Sequence, residues 1–177
     1  RFLEKLKGEE KPGFFKYSLS GDICKEDVEW GLGNTVFAVK VYYILGILQD
    51  LPKQERQDLA NFIKSFQQKH GYYYVPLIKK RAFLREKKSA LKSLDFNNLF
   101  HQQTKRAETR QAISSLNLLG QKVDLSSLDF PKAEREISDY LENLDWKKPW
   151  GAGSHFSHLV FFLKNSNSNY VFFYVRF

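Results

Sequence analysis

The chain has 177 residues, 42% of them apolar, and its 28 basic against 20 acidic side chains leave a net charge of +8. That length suits a single domain with a substantial core, and that apolar share is too high for a disordered chain. No apolar stretch reaches membrane-spanning length, and the lone Cys24 cannot build an internal disulfide framework, so a cytoplasmic location is expected.

The chain opens on Arg1 and contains no Met, which implies a processed or trimmed start. Phe2, Leu3 and Leu6, then Gly13, Phe14, Phe15 and Tyr17, read as the tail of an outer helix and a Gly-aromatic turn leading out of it. An acidic cluster follows at Asp22, Glu26, Asp27 and Glu29. Such residues supply either an acid/base carboxylate or the ordinary negative charge that precedes a positive helix end.

The phrase Trp-Gly-Leu-Gly-Asn at 30–34 returns as Trp-Gly-Ala-Gly-Ser at 150–154. Each copy ends on a helix-capping residue, Asn34 or Ser154, and an apolar run follows. A phrase repeated as the lead-in to a helix implies repeated helical units. Glycine-lined helix starts also offer backbone N–H groups to an anion, and Trp30 and Trp150 suit a sugar face. The plainer alternative is that the glycines permit a tight turn while the tryptophans fill gaps between units.

From Asn34 to about Gln49 the residues are apolar nearly all round, which predicts a helix buried on every side. Asp50, Leu51 and Pro52 break it. From Gln54 to Lys69 a second helix carries one apolar stripe, Leu59, Phe62, Ile63 and Phe66, and reads as an outer helix ending at Gly71 and Tyr72–Tyr74. Lys79, Lys80, Arg81, Arg85, Lys87, Lys88 and Lys92 then form a basic run opposed by Glu86. It is either a solvated face or a docking surface for something anionic. Nucleic acid is the weakest candidate, because no zinc-finger, RNP or helix-turn-helix spacing surrounds it. Residues 76–103 insert extra length, with a helix expected over 83–94.

The same grammar then recurs. Thr109, Ala112, Leu119 and Gly120 repeat the spacing of Thr35, Ala38, Leu45 and Gly46. Ile137, Tyr140, Leu141 and Leu144 repeat the outer stripe on a helix expected from about Pro131, in its first turn, to Asp145. A third inner helix is expected from Ser154. It carries His155 and His158 one turn apart, a pair suited to a general base or to two metal ligands, or else to a packed histidine at the position of Ala38. Residues 170–177 favour a strand by propensity, while repeat phase makes them the start of another outer helix. The units fall at about 1–17, 30–74, 105–150 and 150–177, as one helical-repeat domain expected to continue in one or both directions.

Alternating buried and amphipathic helices, with Thr-x-x-Ala…Leu-Gly on the inner and Phe-Ile-x-x-Phe-Gln-x-x-x-Gly-Tyr on the outer, resemble the repeats of terpene cyclases and protein prenyltransferase β-subunits. Gln67 and Gly71 stand at the matching places of their Gln-x-x-x-Gly-aromatic closure. The resemblance implies an all-α fold, an α/α-toroid or partial toroid of helical hairpins, with inner-helix N-termini around a central cavity. It implies a rim made of Trp30, Gly31, Gly33, Asn34, Glu108, Thr109, Trp150, Gly151, Gly153, Ser154 and His155. The families' catalytic marks are missing: there is no Asp-x-Asp-Asp run, and Cys24 is not at the position of their zinc ligand.

No cofactor and no metal are expected, since one Cys without clustered ligand spacing does not make a zinc site. Two functions remain. One is a helical-repeat domain that binds an anionic small molecule or glycan, or a neighbouring domain, through Trp30, Asn34, Arg110, Trp150 and Ser154. The other is an enzyme acting on a carbohydrate or isoprenoid, with His155 or His158 working beside Asp27 or Glu29.

Overall fold

A computed structural model describes residues 2–20, 31–76, 87–88, 91 and 102–166, and among these it bounds one 3-10 turn, Lys69–Gly71, and six α-helices. They are α1 (Phe2–Leu6), α2 (Leu32–Ile44), α3 (Lys53–Lys64), α4 (Gln102–Leu118), α5 (Glu134–Glu142) and α6 (Pro149–Asn165). Among the described residues there is no β-strand, only two isolated bridges, so the described part of the protein is all-α. None of these helices is long and apolar enough to cross a membrane. Of the helix expected over 83–94, residues 87, 88 and 91 are described, and they are helical. Cys24, the acidic cluster at 22–29, most of the basic run and residues 170–177 lie outside the described residues.

The chain divides into two compact units, Arg1–Val123 and Asp124–Phe177. In the first, α2 packs against both α3 and α4. Leu32, Val36, Val39 and Tyr42 from α2, Leu59, Phe62 and Ile63 from α3, and Ala112, Ile113 and Leu116 from α4 are buried.

Two turns lead out of amphipathic segments and share one hydrogen-bond pattern. After α1, the Gly8 N–H donates to the Phe14 carbonyl at 2.9 Å and the Lys16 N–H to Leu6 at 2.7 Å. After α3, the Gln68 N–H donates to Tyr72 at 2.6 Å and the Tyr74 N–H to Phe66 at 3.3 Å. Each turn closes through a glycine with positive φ, Gly13 at 81° or Gly71 at 74°. At Gly13 no other residue fits: an added Cβ would meet the Asp58 carbonyl oxygen at 2.3 Å.

A threonine ties each turn to the helix that follows. Thr35 Oγ1 donates to the Gly13 carbonyl at 3.0 Å. Thr109 Oγ1 accepts the Tyr73 N–H at 3.0 Å and lies 2.7 Å from the Lys105 carbonyl, to which it donates. Both hydroxyls are buried, so these bonds replace water that the core excludes.

Helices α2 and α4 also end alike. The Ile47 N–H reaches back to Tyr42 at 3.0 Å and the Gln121 N–H to Leu116 at 2.9 Å, across Gly46 (φ 72°) and Gly120 (φ 74°). This is the wrap-around closure that a left-handed glycine makes at a helix C-terminus. It stops α2 at Ile44, short of the Gln49 that the apolar run predicts, although Leu48 beyond the turn is buried.

In the second unit, Ile137 of α5 and Leu159, Phe162 and Leu163 of α6 are buried, with Leu125, Leu128 and Phe130 from the preceding loop. The Phe130 and Phe162 rings lie 5.4 Å apart. Helix α5 starts later than expected: Pro131 stands outside it, and its N-cap is Ala133. Glu136 reaches back to accept the N–H groups of Lys132 and Ala133 at 3.0 and 3.1 Å, which fixes the start there. Helix α6 starts earlier, at Pro149, whose ring is pre-set for a first helical position.

Candidate functional site

The segment that forms α2 has apolar residues on every side, yet only one side is covered. Leu32, Thr35, Val36, Ala38, Val39 and Tyr42 are buried. Phe37 is 64% exposed, Val41 38% and Ile44 79%, which corrects the expectation of a helix buried all round. Spacings of four and three place Phe37, Val41 and Ile44 in one row, and exposed Leu45 and Ile47 follow the helix C-terminus. Periodicity reports what a helix can bury, whereas coverage depends on how many neighbours reach it.

One border of this row is basic. Lys40 donates to Gln111 Oε1 on α4, and its Nζ lies 5.9 Å from the centre of the Phe37 ring. Burial, and then the nearby Arg110 guanidinium, hold the Lys40 ammonium below its ordinary pKa. Arg110, expected among the ligand-binding residues, thus stands beside Lys40 and is half-buried on α4. Asn34 is half-buried in the first turn of α2 and is not its N-cap; that position belongs to Gly31.

Glu108, on α4, was not read from the sequence as more than a rim position. Its carboxylate accepts the Val75 N–H at 2.9 Å, and burial pushes its pKa up to about 7 against the opposing pull of that bond. The only hint was its place beside Thr109; the Val75 contact comes from a residue far away in the chain. A cleft of about 380 Å³ was likewise not foreseen. It lies between the first turn and the start of α3, lined by Gly13, Phe14, Pro52, Glu55 and Asp58 with Lys7, which pairs with Glu55 at 2.6 Å.

In the second unit, Ser154 sits inside α6 rather than capping it, since the helix begins five residues earlier with Lys148 as N-cap. Trp150, in the first turn, is 93% exposed. His155 and His158 share α6 one turn apart but differ in access. His158 is 1% exposed, a packed position like that of Ala38, so the two do not form an accessible pair. His155 is half-buried, with Nδ1 3.2 Å from the Tyr140 hydroxyl of α5. Asp27, Glu29 and Trp30 lie outside the described residues, so the acid expected beside the histidines is not placed. Among the described residues no group of three or more His, Cys, Asp or Glu side chains is positioned to hold a metal ion.

Comparison with family models, with curated proteins and with solved structures finds no match to this chain.

Proposed function

We propose that the chain is a helical-repeat binding module, organised as part or all of an α/α-toroid, that engages another polypeptide or a neighbouring domain. The observation that carries this reading is the uncovered apolar row of Phe37, Val41 and Ile44 on α2. Monomeric proteins seldom leave a contiguous apolar patch open unless something docks on it. Covering what remains exposed of these side chains contributes about 1–2 kcal/mol for Phe37 and Ile44 and less for Val41, which is 38% exposed. Stacked helical units present extended faces of this kind to their partners.

The test replaces Phe37, Val41 and Ile44 together by Ser. The variant is expected to keep the helicity and unfolding midpoint of the parent within a few degrees, because these side chains contribute little to the core. In the parent, an uncharged amphipathic helical peptide should perturb NMR resonances along α2, and the triple variant should lose that response. A parent that binds no such peptide, or a variant that unfolds, overturns the reading.

A second reading, an enzyme acting on a carbohydrate or isoprenoid, is favoured by the contact between His155 and Tyr140. A histidine held by a phenol is suited to proton transfer. Trp150 and Ser154 would then contact the substrate, and an acidic glycan would suit the net charge. Turnover of acidic glycans or prenyl diphosphates that falls at least about 100-fold in His155→Ala supports it. Equal rates in parent and variant, or no turnover by the parent, remove it.

A further inference from the structure

The binding reading leaves the occupant of the α2 face open, and the residues around the row narrow it. Gly33, exposed and with nothing within 4 Å of an added Cβ, continues the row of Phe37, Val41 and Ile44. From 33 to 44 the row runs about 16 Å, or three helical turns. The surface is open along its length, Ile44 being 79% exposed. A small molecule is held by a pocket that encloses it. A helix laid lengthwise needs only a row of this spacing, and Gly33 lets a partner backbone come close.

The border of the row sets the charge. Lys40 lies beside Phe37 and is anchored to Gln111, and the charge acting on it among the described residues is that of Arg110, also positive. Lys40 falls near the middle of the row. A second copy of the chain docking by a two-fold axis would bring the two Lys40 side chains, and the +8 charge of each molecule, toward one another. A partner with a carboxylate at that position meets them favourably.

Resting on the binding-module reading, we propose that the α2 face receives an amphipathic helix of another polypeptide. Its apolar row lies along Phe37, Val41 and Ile44, and an acidic residue on its flank faces Lys40.

The experiment uses the full chain and three helix-stabilised synthetic peptides with one apolar row and flanks of Glu, Gln or Lys. Fluorescence anisotropy at low salt should show the Glu peptide binding at least about tenfold more tightly than the Lys peptide, with the gap closing as salt rises. Lys40→Gln should narrow the gap between the Glu and Lys peptides by more than Lys53→Gln, an equal change of net charge at an exposed lysine of α3, and Lys40→Glu should narrow it further. Equal effects at the two lysines overturn the contact with Lys40. Because Lys40 is half-buried, the helicity of both variants is measured alongside. Should either fail to fold, NMR of the parent reports whether resonances of Lys40 and Phe37 shift with the Glu peptide. Equal binding of all three peptides by the parent overturns the acidic partner and leaves the binding module standing. Binding of none overturns both, and a concentration-dependent dimer abolished by Ile44→Ser replaces the partner with a second copy.

Discussion

At the start of α2 a Cβ on Gly31 would lie 2.6 Å from Cδ2 of Phe14 and 3.0 Å from Cζ of Phe62, whereas nothing lies within 4 Å of one added to Gly151 or Gly153 in α6. The same written phrase therefore has two physical meanings. In the first copy the leading glycine, Gly31, makes room for a ring, while Gly33 stands as open as both glycines of the second copy. Phe14 is wedged between Gly8 and Gly31, tilts against Phe62 at 5.7 Å, and is 1% exposed. In the second copy the glycines stand in open space inside a helix, beside an exposed Trp150, and packing asks nothing of them. A repeat of letters thus marks comparable places in the chain without fixing what each letter does there.

The sharpest way to break this contrast is Gly31→Ala. Phe14 is held on three sides, so its ring cannot swing away, and overpacking of this kind costs about 3 kcal/mol. Urea unfolding of the variant should show a loss of that order, and an unchanged midpoint would mean that Gly31 is as free as Gly151.

How much of this was legible depended on what each residue answers to. The all-α character followed from apolar spacing, because stripes such as Leu59, Phe62 and Ile63 belong to a helix whatever surrounds it. Register with Ala38 allows His158 to be packed but equally allows it a catalytic place, and only its burial decides for packing. The end of α2 was misread because the apolar run continues through Gly46 to Leu48, while the backbone obeys the glycine. Capping by Asn34 and Ser154 was misread because residues upstream, Gly31 and Pro149, start those helices first. Neither the open face of α2 nor the burial of Glu108 is a local property, so neither could be read from neighbouring letters.

Glu108 sharpens the contrast in the third unit, where no glycine precedes it and a carboxyl stands at the repeat position of Asn34, inside α4 (Gln102–Leu118) rather than at the helix start expected for the rim. Its folded-state pKa of about 7 lies above the ordinary 4.5, so the fold favours the neutral acid. By linkage, stability from this group is highest below about pH 4.5, falls as pH rises, and is fully lost above about pH 7. The span amounts to roughly 2 kcal/mol after allowance for partial solvent access. Glu108→Gln keeps an acceptor for the Val75 N–H and carries no charge, so it should flatten this slope and exceed the parent in stability near pH 8 by about that amount. Parallel pH profiles for parent and variant would show that Glu108 is not the titrating group.

The smallest effect has the opposite sign and bears most directly on the second phrase. Gly153→Ala places a methyl in open space within α6 and removes the backbone entropy that glycine loses on folding, so it should stabilise by about 0.5–1 kcal/mol. Gly151→Ala, nearer the helix start, should gain less. A loss of stability in Gly151→Ala would mean that the leading glycine of the second copy is packed after all, as Gly31 is, and the two meanings of the phrase would collapse into one. A gain leaves two glycines that weaken the helix they stand in, beside an exposed tryptophan.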